Sequence, residues 1–113
     1  MTTTNNEAMT TQRETQTPEE AGADDLDSWL SDQTINNPTA DQTNLAAEIL
    51  AKRGRGYHEP DEALINAMGR GWILEQCGVE NTDENWESVG LAWCKRYNAG
   101  YWAAAEIVAS QAG

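Results

Sequence analysis

With 113 residues and a formal charge of −12, the chain has room for one small domain and is poorly matched to phosphate backbones or anionic membranes, which select for Lys and Arg. Two cysteines and one histidine exclude a disulfide framework and a histidine-rich metal centre, while five tryptophans and three tyrosines supply a core without any phenylalanine. No stretch approaches the ~20 apolar residues of a membrane span, and no signal peptide is visible, so a cytoplasmic location is expected.

Composition changes near Asn44. Residues 1–44 sum to a charge of −8 with few apolar side chains, whereas four of the five tryptophans and all three tyrosines follow. Residues 1–23 hold nothing to bury and read as disordered. Leu26, Trp29 and Leu30 then stand at i, i+3 and i+4, one face of a short helix over 24–32, with Asp24, Asp25 and Asp27 around it. So short a helix needs something to pack against. These six residues are the candidate partner-binding set, the alternative being that Trp29 packs on the chain's own core. Residues 1–38 are thus expected as a disordered acidic tail with one motif, and 39–113 as a helical domain.

The class expected for that domain is all-α, a small bundle of three to four helices. Thr39-Ala40-Asp41-Gln42 fits a capping box, so the first helix is expected over about 40–53, with Leu45, Ala46, Ile49 and Leu50 as its stripe. Lys52 and Arg53 fall in its last turn, where positive charge suits the carbonyl end. With Arg55 they form a Gly-flexible basic loop, a candidate contact for an anion or for the acidic tail. Pro60 opens a second helix over 60–77, ended by Gly78.

The third helix, over 83–98, has the clearest periodicity: Trp86, Val89, Gly90, Trp93 and Tyr97. Asn98-Ala99-Gly100 carries stop signals, after which 101–110 reads as an Ala-rich fourth helix, apolar nearly all round. No second copy of the Trp86–Trp93 pattern occurs at a 34-residue period, which excludes a tetratricopeptide-type array. Cys77 and Cys94 would be offset by roughly 15 Å on antiparallel helices, so both are read as reduced core residues.

No catalytic signature is present. His58 beside Glu59, Asp61 and Glu62 falls short of a metal-ligand set, and neither a phosphate-binding loop nor a Cys–His pair can be assembled. No cofactor is expected. The sequence reads as a non-catalytic acidic protein-binding module, a modulator or inhibitor of a larger protein that handles nucleic acid. Its expected partner is a protein with a basic or hydrophobic surface, not nucleic acid and not a membrane. Size and charge of this kind are associated with phage and mobile-element products. The alternative is a structural or assembly protein that forms homo-oligomers through the C-terminal helix.

Overall fold

The computed structural model describes residues 16–56 and 58–111, and every regular element among them is helical. Helix α1 is Pro18–Asn36, α2 is Gln42–Lys52, α3 is Pro60–Met68 and α4 is Arg70–Gln76. A last helix, α5, covers 83–110 without interruption. It comprises Asp83–Asn85, a π-helical turn Trp86–Gly90 and Leu91–Ser110. The class is all-α as expected, with five helices where three to four were expected.

The largest correction concerns 18–36. Residues 1–15 lie outside the described part, and within the stretch 1–38 expected as a disordered tail, 18–36 form a 19-residue helix. Its start is chemically complete: Thr17 accepts from the Glu20 N–H at 3.1 Å while Glu20 Oε1 accepts from the Thr17 N–H at 3.1 Å, and Pro18 fills the first position. The helix is acidic on its outer face and buries Gly22, Leu26 and Leu30. The domain therefore includes α1, and a boundary at residue 39 does not describe it.

Helix α5 is the spine. At about 1.5 Å per residue its 28 residues span roughly 42 Å, long enough for every other helix to pack along it. Asn98-Ala99-Gly100 does not end it. Gly100 instead faces the α1 backbone, where an added Cβ would lie 2.1 Å from the Glu19 carbonyl oxygen. Gly22 reciprocates, its Cβ position lying 2.1 Å from the Tyr97 carbonyl oxygen. Two glycines thus let α1 and α5 touch backbone to backbone. Arg96 fastens the crossing by donating to Glu19 at 2.8 Å, and Tyr97 donates its hydroxyl hydrogen to Asp25. The Arg96 bond holds the Glu19 carboxyl below its ordinary pKa.

Two further boundaries differ from expectation. Asp41, not Thr39, caps α2 by accepting from the Thr43 N–H at 2.8 Å, because the Thr39 hydroxyl is turned to Asn37 at 2.8 Å. The expected helix 60–77 breaks at Gly69, whose φ of +87° lies in the left-handed region that side-chain-bearing residues rarely adopt. The break lets α4 leave the line of α3 and bring Ile73 and Leu74 fully inside. Asn98 holds the other end of α3, accepting from the Asp61 N–H at 2.8 Å.

Apolar burial is divided between two clusters on α5. The first joins Leu26 and Leu30 of α1, Ile49 of α2, and Tyr101, Trp102 and Ala105. The second joins Ile73 and Leu74 of α4 to Trp86, Trp93, Cys94 and Tyr97. Trp93 stacks on Tyr97 at 5.4 Å between ring centroids and meets Trp72 edge-on at 6.3 Å. Both cysteines are free thiols, Cys94 inside the second cluster and Cys77 against it. None of the described helices is long and apolar enough to cross a membrane.

Candidate functional site

Where α1, α3 and α5 diverge they leave an open cavity of about 540 Å³. Such a volume falls within the ~300–1,000 Å³ range of small-ligand pockets. Its aromatic wall consists of Trp29 from α1 with Tyr97 and Tyr101 from α5, and Pro60, Ala63 and Leu64 of α3 form the opposite side. Asp25, His58 and Glu59 supply the polar rim. The α1 contribution follows from helical spacing, since Asp25 and Trp29 at i and i+4 lie one above the other on the same face. Tyr97 and Tyr101 repeat that spacing on α5.

Each rim group is held. Burial pushes the Tyr97 phenol well above its ordinary pKa, and its bond to Asp25 acts in the same direction, so it remains a donor throughout the neutral range. Glu59 Oε2 accepts from Trp102 Nε1 at 2.6 Å, while Glu59 Oε1 stands 3.9 Å from Arg53 Nε. The Arg53 guanidinium lies 4.9 Å above the Trp102 ring. His58 Nδ1 is 2.7 Å from Glu62 Oε2. Among the described lining residues Asp25 and Glu59 bring two carboxylates and there is no Lys or Arg, so the rim carries an excess of negative charge.

The six residues expected to bind a partner separate in the structure. Leu26 and Leu30 are 0% and 1% exposed and belong to the first core cluster, so neither is available to a partner. The spacing that placed them on one helix face was right, but that face meets α5 instead of solvent. Trp29, about 60° round the helix from Leu26 and about 100° from Leu30, is half-buried, with one side on the core and the other lining the cavity. All three aspartates are exposed, but only Asp25 reaches the cavity; Asp24 accepts from Gln16 Nε2, and Asp27 lies outside the cavity.

In the basic loop, Arg53 is committed to Trp102 and Glu59, while Lys52 and Arg55 are exposed. A tail contact there would involve residues 1–15, which lie outside the described residues. Tyr97, Tyr101, Glu59 and the α3 wall were absent from the sequence-derived set. The periodicity of 86–97 places Tyr97 in the core, and nothing in sequence order joins α3 to α1.

Among the described residues that line the cavity there is no Ser, Thr or Cys. Both thiols lie outside the cavity lining, and burial pushes Cys94 up to about 11, which keeps it protonated at neutral pH. Among the described residues no group of three His, Cys, Asp or Glu side chains converges on a metal position. What the cavity offers is aromatic surface under negative charge. Comparison with protein-family models, with curated proteins and with solved structures finds no match to this chain.

Proposed function

We propose that this chain is a non-catalytic, acidic protein-binding module that docks on a basic face of a larger protein and modulates it, the face being one that would otherwise hold nucleic acid. The observation that carries the reading is the coincidence of a −12 charge with an aromatic cavity rimmed by carboxylates. Long-range attraction would speed encounter with a positive surface, and the cavity would give that encounter a point of purchase. An acidic surface competes for positively charged sites because its carboxylates stand where phosphates would.

Assembly through the C-terminal helix has less to draw on. Trp102 and Ala105 are buried, and Ala104 and Val108 pack against the first cluster, so most of the apolar surface of 101–110 is already used within the chain. Ile107, 62% exposed, is the large apolar side chain this stretch leaves to solvent among the described residues.

The test is capture from a lysate at low and high salt, followed by elution with duplex DNA. A partner retained at low salt and released by DNA supports the reading. Absence of any retained partner at either salt defeats it.

A further inference from the structure

We infer that the cavity between α1, α3 and α5 takes the side chain of an arginine presented by a basic partner, with Trp29 as its stacking face and Asp25 as its counter-charge. This inference rests on the proposed binding function and specifies its contact. Arg53 lies 4.9 Å above the Trp102 ring and beside the Glu59 carboxylate, and Arg70 lies 4.7 Å above the Trp86 ring. At Arg53 the fold already sets a guanidinium over an indole with a carboxylate beside it.

Asp25 and Trp29 present the same pair of groups, one helical turn apart on α1, at the wall of the cavity. None of the described residues places an arginine over Trp29. Asp25 accepts one hydrogen bond from Tyr97, which fixes the carboxylate and leaves its second oxygen for a further donor. The volume of about 540 Å³ accommodates a long side chain together with part of its backbone.

Charge selects a cation, since an anion would meet the Asp25 and Glu59 carboxylates at the rim. Between the two basic side chains, planarity selects arginine. Its guanidinium stacks flat on an indole and presents paired N–H groups to a carboxylate, whereas the compact ammonium of lysine does neither as well.

The experiment is an NMR titration of the full chain with a blocked pentapeptide, arginine flanked by two glycines on each side, and with its lysine and citrulline counterparts. Citrulline keeps the shape and loses the charge. The expected result is a shift of the Trp29 indole N–H, with the arginine peptide binding about tenfold more tightly than citrulline and more tightly than lysine. Asp25→Asn keeps an acceptor for Tyr97 and should bring the arginine peptide down to the citrulline level. Glu48→Gln removes the same charge from the exposed face of α2 and should leave the affinity unchanged. Equal binding of citrulline, tighter binding of lysine, or an equal loss in Asp25→Asn and Glu48→Gln would overturn the assignment. Partner capture that survives Asp25→Asn also overturns it while leaving the binding-module reading intact. Failure of wild-type capture with arginine-selective titration does the reverse.

Discussion

The two core clusters are built on opposite halves of one helix, yet they reach the same burial by different chemistry. The second cluster is aromatic and mostly local to the C-terminal part of the chain, with Trp86, Trp93 and Tyr97 closed over by Ile73 and Leu74. The first depends on two leucines from an acidic helix more than seventy residues away in sequence, laid against Trp102 and Ala105. A core can therefore draw essential members from a segment whose composition resembles a solvated tail. The first cluster is the more fragile, because removing α1 opens it entirely while leaving most of the second in place.

The largest expected effect follows directly. A chain starting at residue 39 should lose cooperative unfolding, because Ile49 and Trp102 would face water along with the surface vacated by Leu26 and Leu30. Circular dichroism and urea titration check this; a sharp transition in the shortened chain would show that α1 is an accessory. Single substitutions come next. Trp102→Ala should cost about 3–5 kcal/mol and Leu26→Ala about 2–5 kcal/mol. Trp102→Ala also leaves Glu59 without its indole donor.

Glycine pairs sharpen the contrast between packing and propensity. Gly100→Ala replaces a poor helix former with a good one, a gain of roughly 1 kcal/mol in an isolated helix. Here the new methyl would overlap the Glu19 backbone, which cannot swing aside, so the net change should be destabilising by about 1–3 kcal/mol. At Gly71 the nearest atom is the Asn81 side-chain amide, 3.1 Å away and able to move, so Gly71→Ala should be near neutral. Thermal melts of the two variants would settle whether the α1–α5 contact is as tight as its geometry.

These glycines also show where sequence reading stopped. The all-α class, the periodicity of 86–97 and the stop at Gly78 were visible because local chemistry determines them. Gly100 looked like another stop because it follows Asn98, but a glycine that ends a helix and one that admits a neighbouring backbone are the same letter. The missed start of α1 had a local signal, Thr17-Pro18-Glu19-Glu20, which is a capping box with proline at the first helical position. The acidic composition of 1–44 masks that signal, because α1 buries few of its residues, Pro18, Gly22, Leu26 and Leu30. The cavity was not legible, because it arises only when Trp29, Leu64 and Tyr101 meet in three dimensions.

Alkaline pH should separate the clusters by another route. Burial raises the Cys94 thiol to about 11 and the Tyr97 phenol above its ordinary 10, so the native chain keeps protons that the unfolded chain releases. Stability contributed in this way is fully present below pH 9 and declines as pH rises from about 9 through 11. Cys94→Ala should flatten the first part of that decline in pH-dependent melts, whereas Leu26→Ala should lower the curve without changing its slope.

Among the large side chains packed on the first cluster, the smallest loss of stability on truncation is expected at Trp29, and it bears most directly on function. One side of this indole touches the first cluster and the other lines the cavity, so truncation removes part of a buried surface and leaves Leu26 and Leu30 in place. Trp29→Ala should cost less than the roughly 3 kcal/mol lower bound for a fully buried tryptophan. It should nevertheless abolish the arginine-selective titration. Trp93→Ala should do the opposite in stability terms, unfolding the second cluster around Tyr97. A melting loss at Trp29 as large as that at Trp102 would make it a core residue first. Retention of peptide binding by a folded Trp29→Ala chain would remove it from the site, since no other described residue offers an indole face to the cavity.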